Sequence, residues 1–369
     1  MCKNTLEKTY PSKEGRTAGR KQMTERIPIH CIIPPHMLKE LAKKGSPKQR
    51  DMALKTLMLS EKIRGRREAF AEVYVAVSAG VKCIRVYDAK NGQDLPGVEI
   101  ADPGNSSDPA IKEAYDGTNA TYDIYNDVYG RNSIDDKGMC ILSSIHFDVN
   151  YDNAFWDGRQ MVYGDGDGEL FNRFTISIDV MGHELTHGVT EYEAGLVYYD
   201  QPGALNESMS DVFGVLVKQR TLNQTANEAD WLIGEGLFTS KVNGTALRSM
   251  KAPGTAYNDP VLGKDPQPAH MRDYVRLSRW DDNGGVHINS GIPNHAFYLT
   301  AMEIGGYAWE KAGKIWYIAL RDRLRSNANF QSAADKTYQV AGVMFGAGSA
   351  EQLAVKKGWT GVGITPKRK

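Results

Sequence analysis

The sequence has no apolar run of the length that spans a bilayer, which argues against a transmembrane helix of the usual kind. Its first ten residues, Met1 to Tyr10, are polar and lack the apolar core of a signal peptide. We therefore expect no membrane partner and no cleaved leader of the usual type.

Cysteine is scarce, and no two of the four cysteines have the spacing of a metal-binding pair. Such sparse usage is not typical of a small protein held together by disulfides. We predict that all four are reduced and structural: Cys2, Cys31, Cys83 and Cys140.

Net charge is also absent, because 45 basic residues balance 45 acidic residues. The distribution is uneven, since residues 1–70 hold 17 basic and 7 acidic side chains, an excess of ten positive charges. A basic head can bind nucleic acid or dock on its own acidic body. The head has few aromatic residues and no recognised nucleic-acid motif, so we do not expect a nucleic-acid partner.

The N-terminal segment has the pattern of two short helices. Residues 1–26 are polar and are predicted to be loose. A double proline then forces an extended entry, and Pro35 starts a helix that ends near Lys44. Ser46-Pro47 starts a second helix that is expected to reach Arg67. This segment is too small for a strong hydrophobic core of its own, so we expect it to pack against the rest of the protein.

The rest of the chain shows two successive sequence patterns. The full length of 369 residues is enough for two or three domains. From residue 71 to 178, alternating apolar residues and Gly-Asp turns predict strands, with one helix around 108–129. After Ile178 the pattern is helical. The predicted helices cover 179–194, 204–220, 287–303, 308–322 and 329–346. The simplest architecture is an α+β body of two lobes with a cleft between them.

The decisive pattern is His-Glu-x-x-His, found at His183, Glu184 and His187. Histidines at i and i+4 share one face of a helix, so both imidazoles can reach the same metal ion. Glu184 can reach a metal-bound water without binding the metal. The bland alternative is a pair of surface histidines beside a solvated glutamate.

A third ligand strengthens the metal interpretation. Glu207 follows in the next predicted helix, and two antiparallel helices would bring it back to the histidines. Two histidines, one glutamate and an open position are the ligand set of a catalytic zinc ion. Asp211 lies one turn after Glu207 and is predicted to accept a hydrogen bond from His183, fixing its tautomer.

From about Val81 to the C-terminus the chain resembles the thermolysin-like metallopeptidases. The resemblance rests on several sequence blocks that occur in the same order as in that family. They are Asn153-Ala154-Phe155-Trp156, the Gly-Asp-Gly-Asp-Gly stretch at 164–168, the helix with His-Glu-x-x-His, the Asn-Glu-x-x-x-Asp stretch at 206–211, and the Asn-Gly-Gly-Val-His-Ile-Asn-Ser-Gly stretch at 283–291. It implies a strand-rich N-terminal lobe and a helical C-terminal lobe, with one zinc ion in the cleft.

The resemblance also implies roles for single residues. His183, His187 and Glu207 would bind zinc, and Glu184 would be the general base that activates water. His287, oriented by Asp282, and Tyr198 would stabilise the oxyanion of the transition state. The substrate-binding residues would be Asn153 and Ala154 along the substrate backbone, Arg248 on the carbonyl of the leaving-group side, and Phe171, Phe174, Val180 and Leu247 around an apolar pocket just beyond the scissile bond.

Two features depart from the long-chain relatives. Those relatives bind a pair of calcium ions near the zinc ion. Three acids of that site are matched here by Asp179, Asp230 and Glu235, whereas Lys218 and Leu232 stand where the relatives have acids. A lysine opposes cation binding electrostatically, so we predict that the double calcium site is lost.

The second departure is a short head with Pro34, Pro35 and Leu38 in a Pro-Pro-x-x-Leu arrangement. This arrangement is similar to the propeptide of the protealysin subgroup, which plugs the cleft. Leu38 is predicted to fill the apolar pocket near Phe171 and Leu247, and removal of the head is placed between residues 65 and 80.

The expected organisation is therefore a propeptide (1–74), a strand-rich lobe (75–178) and a helical lobe (179–369). Partners would be protein or peptide substrates and the chain's own propeptide, on a monomeric enzyme. Without a signal peptide, the enzyme would be secreted by a non-classical route or held in the cytoplasm as a precursor. Two alternatives stay open: an inactive zinc-binding scaffold, and Cys31 as a zinc ligand in the latent state rather than a buried structural cysteine.

Overall fold

A computed structural model describes residues 30–70 and 81–367, without the side chains of His30 and of residues 64–70. The predicted loose tip at 1–26 lies outside the described residues. Most of the stretch predicted for processing, 71–80, lies outside them as well. No helix in the described ranges is long and apolar enough to cross a membrane.

A six-stranded sheet forms in the first half of the chain, in the order β1-β5-β6-β4-β2-β3. The central neighbours β2, β4 and β6 are parallel, while β1–β5, β5–β6 and β2–β3 are antiparallel. The strands are β1 (His30–Cys31), β2 (Ile84–Asp88), β3 (Val98–Glu99), β4 (Ile141–Ile145), β5 (Ala154–Trp156) and β6 (Gln160–Tyr163). The strand from the head thus extends the edge of the sheet.

The described residues form ten α-helices, seven of them from residue 178 onward. They are α1 (Pro35–Lys44), α2 (Pro47–Phe70), α3 (Pro109–Asp123), α4 (Ile178–Tyr192), α5 (Asp200–Thr221), α6 (Asp282–Asn289), α7 (Gly291–Ile304), α8 (Ala312–Ile318), α9 (Phe330–Phe345) and α10 (Ala350–Gly361). Two-residue strands pair as β7 (Leu232–Ile233) with β8 (Arg248–Ser249) and as β9 (Asn258–Asp259) with β10 (Gly263–Lys264).

The predicted helix pair of the head is confirmed as α1 and α2, and Pro35 is the first residue of α1. The predicted helix around 108–129 is α3 followed by a π-helical turn at Ile124–Val128. The helix predicted over 287–303 is divided at Ser290 into α6 and α7, and the one over 308–322 ends in a π-helical turn at Ala319–Arg323. Helix α10, capped by Ser349, was not predicted.

The prediction of four reduced cysteines is wrong for two of them, since Cys83 and Cys140 form a disulfide. Each lies directly before a central strand, and these strands pair in parallel with Ile84 opposite Ile141. The pairing brings the two cysteines to a Cα–Cα distance of 4.6 Å. A separation of 57 residues along the chain concealed this neighbourhood, because the intervening crossover contains α3.

Two glycines bring α4 and α5 close together. A Cβ atom on Gly182 would lie 2.9 Å from the Cα of Gly214, and one on Gly214 would lie 2.4 Å from the carbonyl oxygen of Asp179. Side chains at these positions would push the helices apart. The close crossing sets the distance from the histidines of α4 to the acids of α5.

The head shares its core with the body. Ile32, Ile33, Met37, Leu38 and Leu41 are each at most 2% exposed and belong to the same apolar cluster as the interior of both lobes. Burial of a large aliphatic side chain is worth about 1.5 to 3 kcal/mol. This packing agrees with the expectation that the head packs against the rest of the protein.

Candidate metal centre and active site

Helix α4 presents His183 and His187 on one face, both fully buried. Their Nε2 atoms lie 3.0 Å apart. Glu207 comes from α5, with Oε2 at 3.5 Å from Nε2 of His183 and Oε1 at 3.5 Å from Nε2 of His187. These three residues form a group whose ligand atoms all lie within 4.8 Å of one another.

Acceptors behind the two imidazoles fix their orientation. Nδ1 of His183 lies 2.7 Å from Oδ1 of Asp211, as predicted, and Nδ1 of His187 lies 2.8 Å from Oδ1 of Asn206. Ser210 also lies within 3.0 Å of Nδ1 of His187. Acceptors at Nδ1 favour the tautomer whose Nε2 lone pair points to the centre, the usual arrangement of metal-binding histidines.

This donor set fits a zinc ion. Two imidazole nitrogens and one carboxylate converge, and Oε2 of Glu207 is buried with no hydrogen-bond partner among the described residues. Three protein ligands with one open position are typical of catalytic zinc. Cys31 is not part of this group. It is buried in a separate apolar cluster, with Sγ 4.0 Å from Oγ of Ser60.

Glu184 lies one residue after His183 and is completely buried. Its Oε2 accepts a hydrogen bond of 3.0 Å from the backbone N–H of Trp156 in β5, while Oε1 has no such partner within the described ranges. Burial raises the pKa of Glu184 to about 8. A carboxylate with a pKa near neutrality can accept and return a proton.

His287 and Tyr198 face the same centre from the other side. The hydroxyl of Tyr198 donates a short hydrogen bond to Glu207 and lies 3.1 Å from Nε2 of His287. Asp282 accepts a short hydrogen bond from Nδ1 of His287 and one of 3.0 Å from its backbone N–H. The chain can fold back in this way because Asn283 and the two glycines after it have positive φ angles.

Asp211 is the hub of a buried ionic network behind the centre. Arg248 donates to both of its carboxylate oxygens at 2.8 and 2.9 Å, and Asn294 donates to Oδ2 at 2.8 Å. Burial opposes ionisation, but the charges of Arg248 and His183 hold the pKa of Asp211 at about 2. The network ties the predicted substrate-binding arginine to the predicted metal ligand.

Some supporting residues were not predicted. Asn206, Ser210 and Asn294 act behind the centre, and Gln267 donates at 2.8 Å to the carbonyl oxygen of His287. The available signal was their place in the sequence, since Asn206 and Ser210 each stand directly before a predicted acid. Nothing in the sequence distinguished Gln267 from an ordinary loop residue.

The predicted pocket residues are all inside the protein. Phe171, Phe174, Val180 and Leu247 are at most 2% exposed, and the rings of Phe171 and Phe174 have centroids 6.0 Å apart. They belong to the main apolar cluster. Their role in binding a substrate side chain stays a prediction.

The predicted substrate edge is engaged by the head. The backbone N–H of Ile32 donates to the carbonyl oxygen of Ala154 at 3.2 Å, and that of Ile33 donates to Oδ1 of Asn153 at 3.0 Å. Arg248 donates through Nη1 to the carbonyl oxygen of Ile32 at 3.3 Å. The head therefore occupies groups that the sequence assigns to substrate.

Further contacts hold α1 over the same region. Nε2 of His36 lies 3.2 Å from the hydroxyl of Tyr257, and Lys39 pairs with Asp281 at 3.2 Å. Pro34 is buried directly before α1, so the double proline joins the strand to the helix. Leu38 is buried within α1, and its predicted place in the pocket stays a prediction.

Lys218 stands where the resemblance placed calcium. Its Nζ lies 2.7 Å from Asp230, 3.0 Å from Glu235 and 3.8 Å from the buried Asp179. Burial opposes the charge of Lys218, but these carboxylates raise its pKa above the ordinary value. The ammonium group thus pairs with the three acids that match the calcium site.

Comparison with known proteins agrees with this geometry. The profile of the thermolysin metallopeptidase catalytic domain matches residues 68–191, and the profile of its alpha-helical domain matches residues 194–364. An extracellular metalloprotease of Pectobacterium carotovorum subsp. carotovorum is 48% identical over 340 residues, which cover 91% of this chain and 97% of the relative. Protease PrtS of Photorhabdus sp. (strain Az29) is 46% identical over 344 residues, covering 91% and 92%.

A solved structure, the precursor of protealysin, a metalloproteinase from Serratia proteamaculans, superposes with a TM-score of 0.83 at 51% identity. The match covers 91% of this chain and all of the precursor. The chain belongs to the thermolysin family of zinc metallopeptidases. The predicted fold class, the metalloendopeptidase activity and the likeness to a protealysin-type precursor are confirmed.

Proposed function

We propose that this protein is a zinc endopeptidase that cuts on the amino side of bulky hydrophobic residues and is made as a self-inhibited proenzyme. The main support is the placement of Glu184. It lies on the same helix as two converging histidines, has one carboxylate oxygen without a hydrogen-bond partner in the described part of the chain, and shares the centre with His287. A scaffold that only binds zinc would need neither Glu184 nor His287.

His183, His187 and Glu207 would hold the zinc ion, with Asp211, Asn206 and Ser210 fixing the histidines. When bound, the zinc ion would act as a Lewis acid and lower the pKa of a water molecule to about 7. The residues of the chain do the rest of the chemistry.

Glu184 accepts the proton as the water attacks the scissile carbonyl, and later donates it to the leaving nitrogen. Trp156 orients the carboxylate through its backbone N–H. His287 and Tyr198 donate hydrogen bonds to the developing oxyanion, and Asp282 keeps the imidazole in place. With the head in the cleft, every one of these side chains is at most 8% exposed. A substrate that fills the same cleft would also exclude water and so strengthen these interactions.

Substrate would lie along β5. Asn153 and Ala154 would pair with its backbone, and Arg248, anchored by Asp211, would bind the carbonyl oxygen on the leaving-group side. Phe171, Phe174, Val180 and Leu247 would surround the side chain just after the scissile bond. Their apolar character favours large hydrophobic residues there.

The head would be an inhibitory propeptide of residues 1–74, followed by lobes 75–178 and 179–369. Its removal between residues 65 and 80 would free the cleft. We propose that the mature enzyme is a monomer acting on protein substrates outside the cell, in line with the extracellular metalloprotease of Pectobacterium. The cluster around Lys218 would replace the double calcium site.

A cleavage map tests this function. The full-length protein is incubated with zinc and a mixture of peptides, and the new N-termini are identified by mass spectrometry, with chelator-treated protein as the control. We expect new N-termini at Leu, Ile, Val and Phe, together with a shortened chain that starts between residues 65 and 80. Cleavage after basic residues, or equal cleavage in the chelated control, would overturn the proposal.

A further inference from the structure

The first described residues of the head lie in the cleft as an extended strand. In β1, His30 is opposite Trp156 and Cys31 is opposite Phe155, in antiparallel register. The pairing continues beyond β1, because the N–H of Ile32 donates to the carbonyl oxygen of Ala154. The head therefore has a defined direction and register relative to the strand that holds the proposed substrate site.

The hydrogen bonds of Ile32 match those of a substrate residue. Its N–H binds Ala154, its carbonyl oxygen accepts from Arg248 at 3.3 Å, and the next N–H, of Ile33, binds the side chain of Asn153 at 3.0 Å. In the proposed function, on which this inference rests, Arg248 binds the carbonyl oxygen of the residue just after the scissile bond. Here that carbonyl belongs to Ile32.

The backbone contact of Glu184, on the catalytic side of the cleft, leads to the same register. Glu184 is anchored to the backbone N–H of Trp156, and Trp156 pairs with His30. The Cys31–Ile32 peptide thus lies between the anchor of the proposed general base and the arginine on the leaving-group side.

We infer that the head inhibits as a substrate mimic, with Ile32 in the position just after the scissile bond and the Cys31–Ile32 peptide at the catalytic centre. This register assigns the apolar pocket to Ile32, which is completely buried, and not to Leu38 in α1. It also names the substrate class more narrowly, because a pocket that accepts Ile32 accepts a branched aliphatic residue.

Packing on both sides explains why such a strand blocks the site. After Ile33 the two prolines lead directly into α1, whose Met37, Leu38 and Leu41 are buried. Before Ile32, Cys31 packs in an apolar cluster with Leu59 and Ile63 of α2. Both halves of the strand are therefore held by the head, so neither can leave the cleft as a product would, and this preorganisation favours tight binding.

The test compares two adjacent positions with the same burial. Ile32 and Ile33, 0% and 1% exposed, are each replaced in the full-length protein by Val, Leu, Phe, Ala and Asp. The initial peptidase rate of each intact proenzyme is measured, with intact mass recorded in parallel. The enzyme processed from the wild-type chain is assayed on peptides that carry the same residues just after the scissile bond.

We expect the rank order of inhibition in the Ile32 series to follow the rank order of kcat/KM on these peptides. The Ile32→Asp proenzyme should be at least about tenfold more active than wild type, because a charged side chain replaces a buried apolar one and weakens binding of the head. The Ile33 series should not follow that order. An Ile32 series unrelated to substrate preference, or an equal correlation at Ile33, would overturn the register.

The outcome is separable from failure of the proposed function. An enzyme that cleaves none of the peptides contradicts the peptidase proposal itself, whereas normal cleavage without the correlation contradicts only the register. Thermal unfolding of each variant identifies any that fail to fold, and Ile32→Val and Ile32→Leu are conservative enough to keep the comparison informative.

Discussion

Replacement of Lys218 by methionine tests the prediction that the double calcium site is lost. The ammonium group is the cation that faces Asp179, Asp230 and Glu235 at 3.8, 2.7 and 3.0 Å. Methionine keeps most of the length of the side chain and removes the charge. Asp179, completely buried, would keep its bonds to Ser177 and Gly234 but lose this counter-charge.

The magnitude follows from burial. Removing one partner of a buried ion pair costs about 3 to 5 kcal/mol, and an exposed pair contributes at most about 1 kcal/mol. Asp230 and Glu235 are partly exposed and Asp179 keeps two hydrogen bonds, so we expect a loss of about 2 to 3 kcal/mol. In a protein of this size that corresponds to a fall in melting temperature of roughly 3 to 4 °C.

Calcium provides the second measurement. Wild type should show almost no change in melting temperature with millimolar calcium, whereas Lys218→Glu should be unstable without calcium and regain stability with it. Assays use Glu184→Ala as the background, which prevents self-digestion. Lys112→Met is the matched control, because Lys112 pairs with Asp116 at 2.7 Å on the surface and its loss should cost about 0.5 kcal/mol or less.

Two results would refute the reasoning. One is a rise of many degrees in the melting temperature of the wild-type protein with millimolar calcium, which would show that a strong site survives. The other is a Lys218→Met variant as stable as the Lys112→Met control, which would show that the ammonium group stabilises nothing.

Two further predictions concern the head and the hub of the ionic network. Burial lowers the pKa of His36 to about 4; the charges of His287 and Arg248 act in the same direction, and those of Asp282 and Glu40 oppose it. Its contribution to the free energy of unfolding, about 1 to 3 kcal/mol, should therefore be complete above pH 6.5 and lost as the pH falls toward 4. Unfolding measured from pH 7.5 to 4.5 should show the loss in wild type but not in His36→Asn, and equal slopes would contradict it. Asp211→Asn should weaken zinc binding about 10- to 100-fold, measured against a competing chelator, since the acceptor behind His183 loses its charge; unchanged affinity would count against that role.

The metal centre was predictable because its chemistry restricts residue types. Few arrangements other than a metal site need two histidines one turn apart and a glutamate in the next helix. Asn206 and Ser210 also hold the histidines, but amides and hydroxyls occur in many settings, so their positions next to Glu207 and Asp211 did not identify them. Gln267 reaches α6 from a loop whose path depends on the complete fold.

The errors have physical reasons of the same kind. The disulfide depends on parallel pairing of β2 with β4, which local sequence does not reveal. The turn at Asn283, which brings Asp282 onto His287, lies before the predicted helix and depends on positive φ angles that helical periodicity does not reveal. The assignment of Leu38 to the pocket is not among these errors, because it stays a prediction; the hydrogen bonds of Ile32 and Ile33 lead to a different proposal for that pocket.

The most direct test of the central claim separates metal binding from catalysis at Glu184. The full-length Glu184→Gln variant and the wild-type protein are loaded with zinc, and metal content and hydrolysis of a peptide substrate are measured on the same samples after processing or removal of the head. Glu184 is outside the ligand group, so both proteins should bind one zinc ion, while the variant should lose peptidase activity by a factor of about 10² or more. Activity near that of wild type with zinc bound would contradict the assignment of Glu184 as the base, and with it the proposed mechanism.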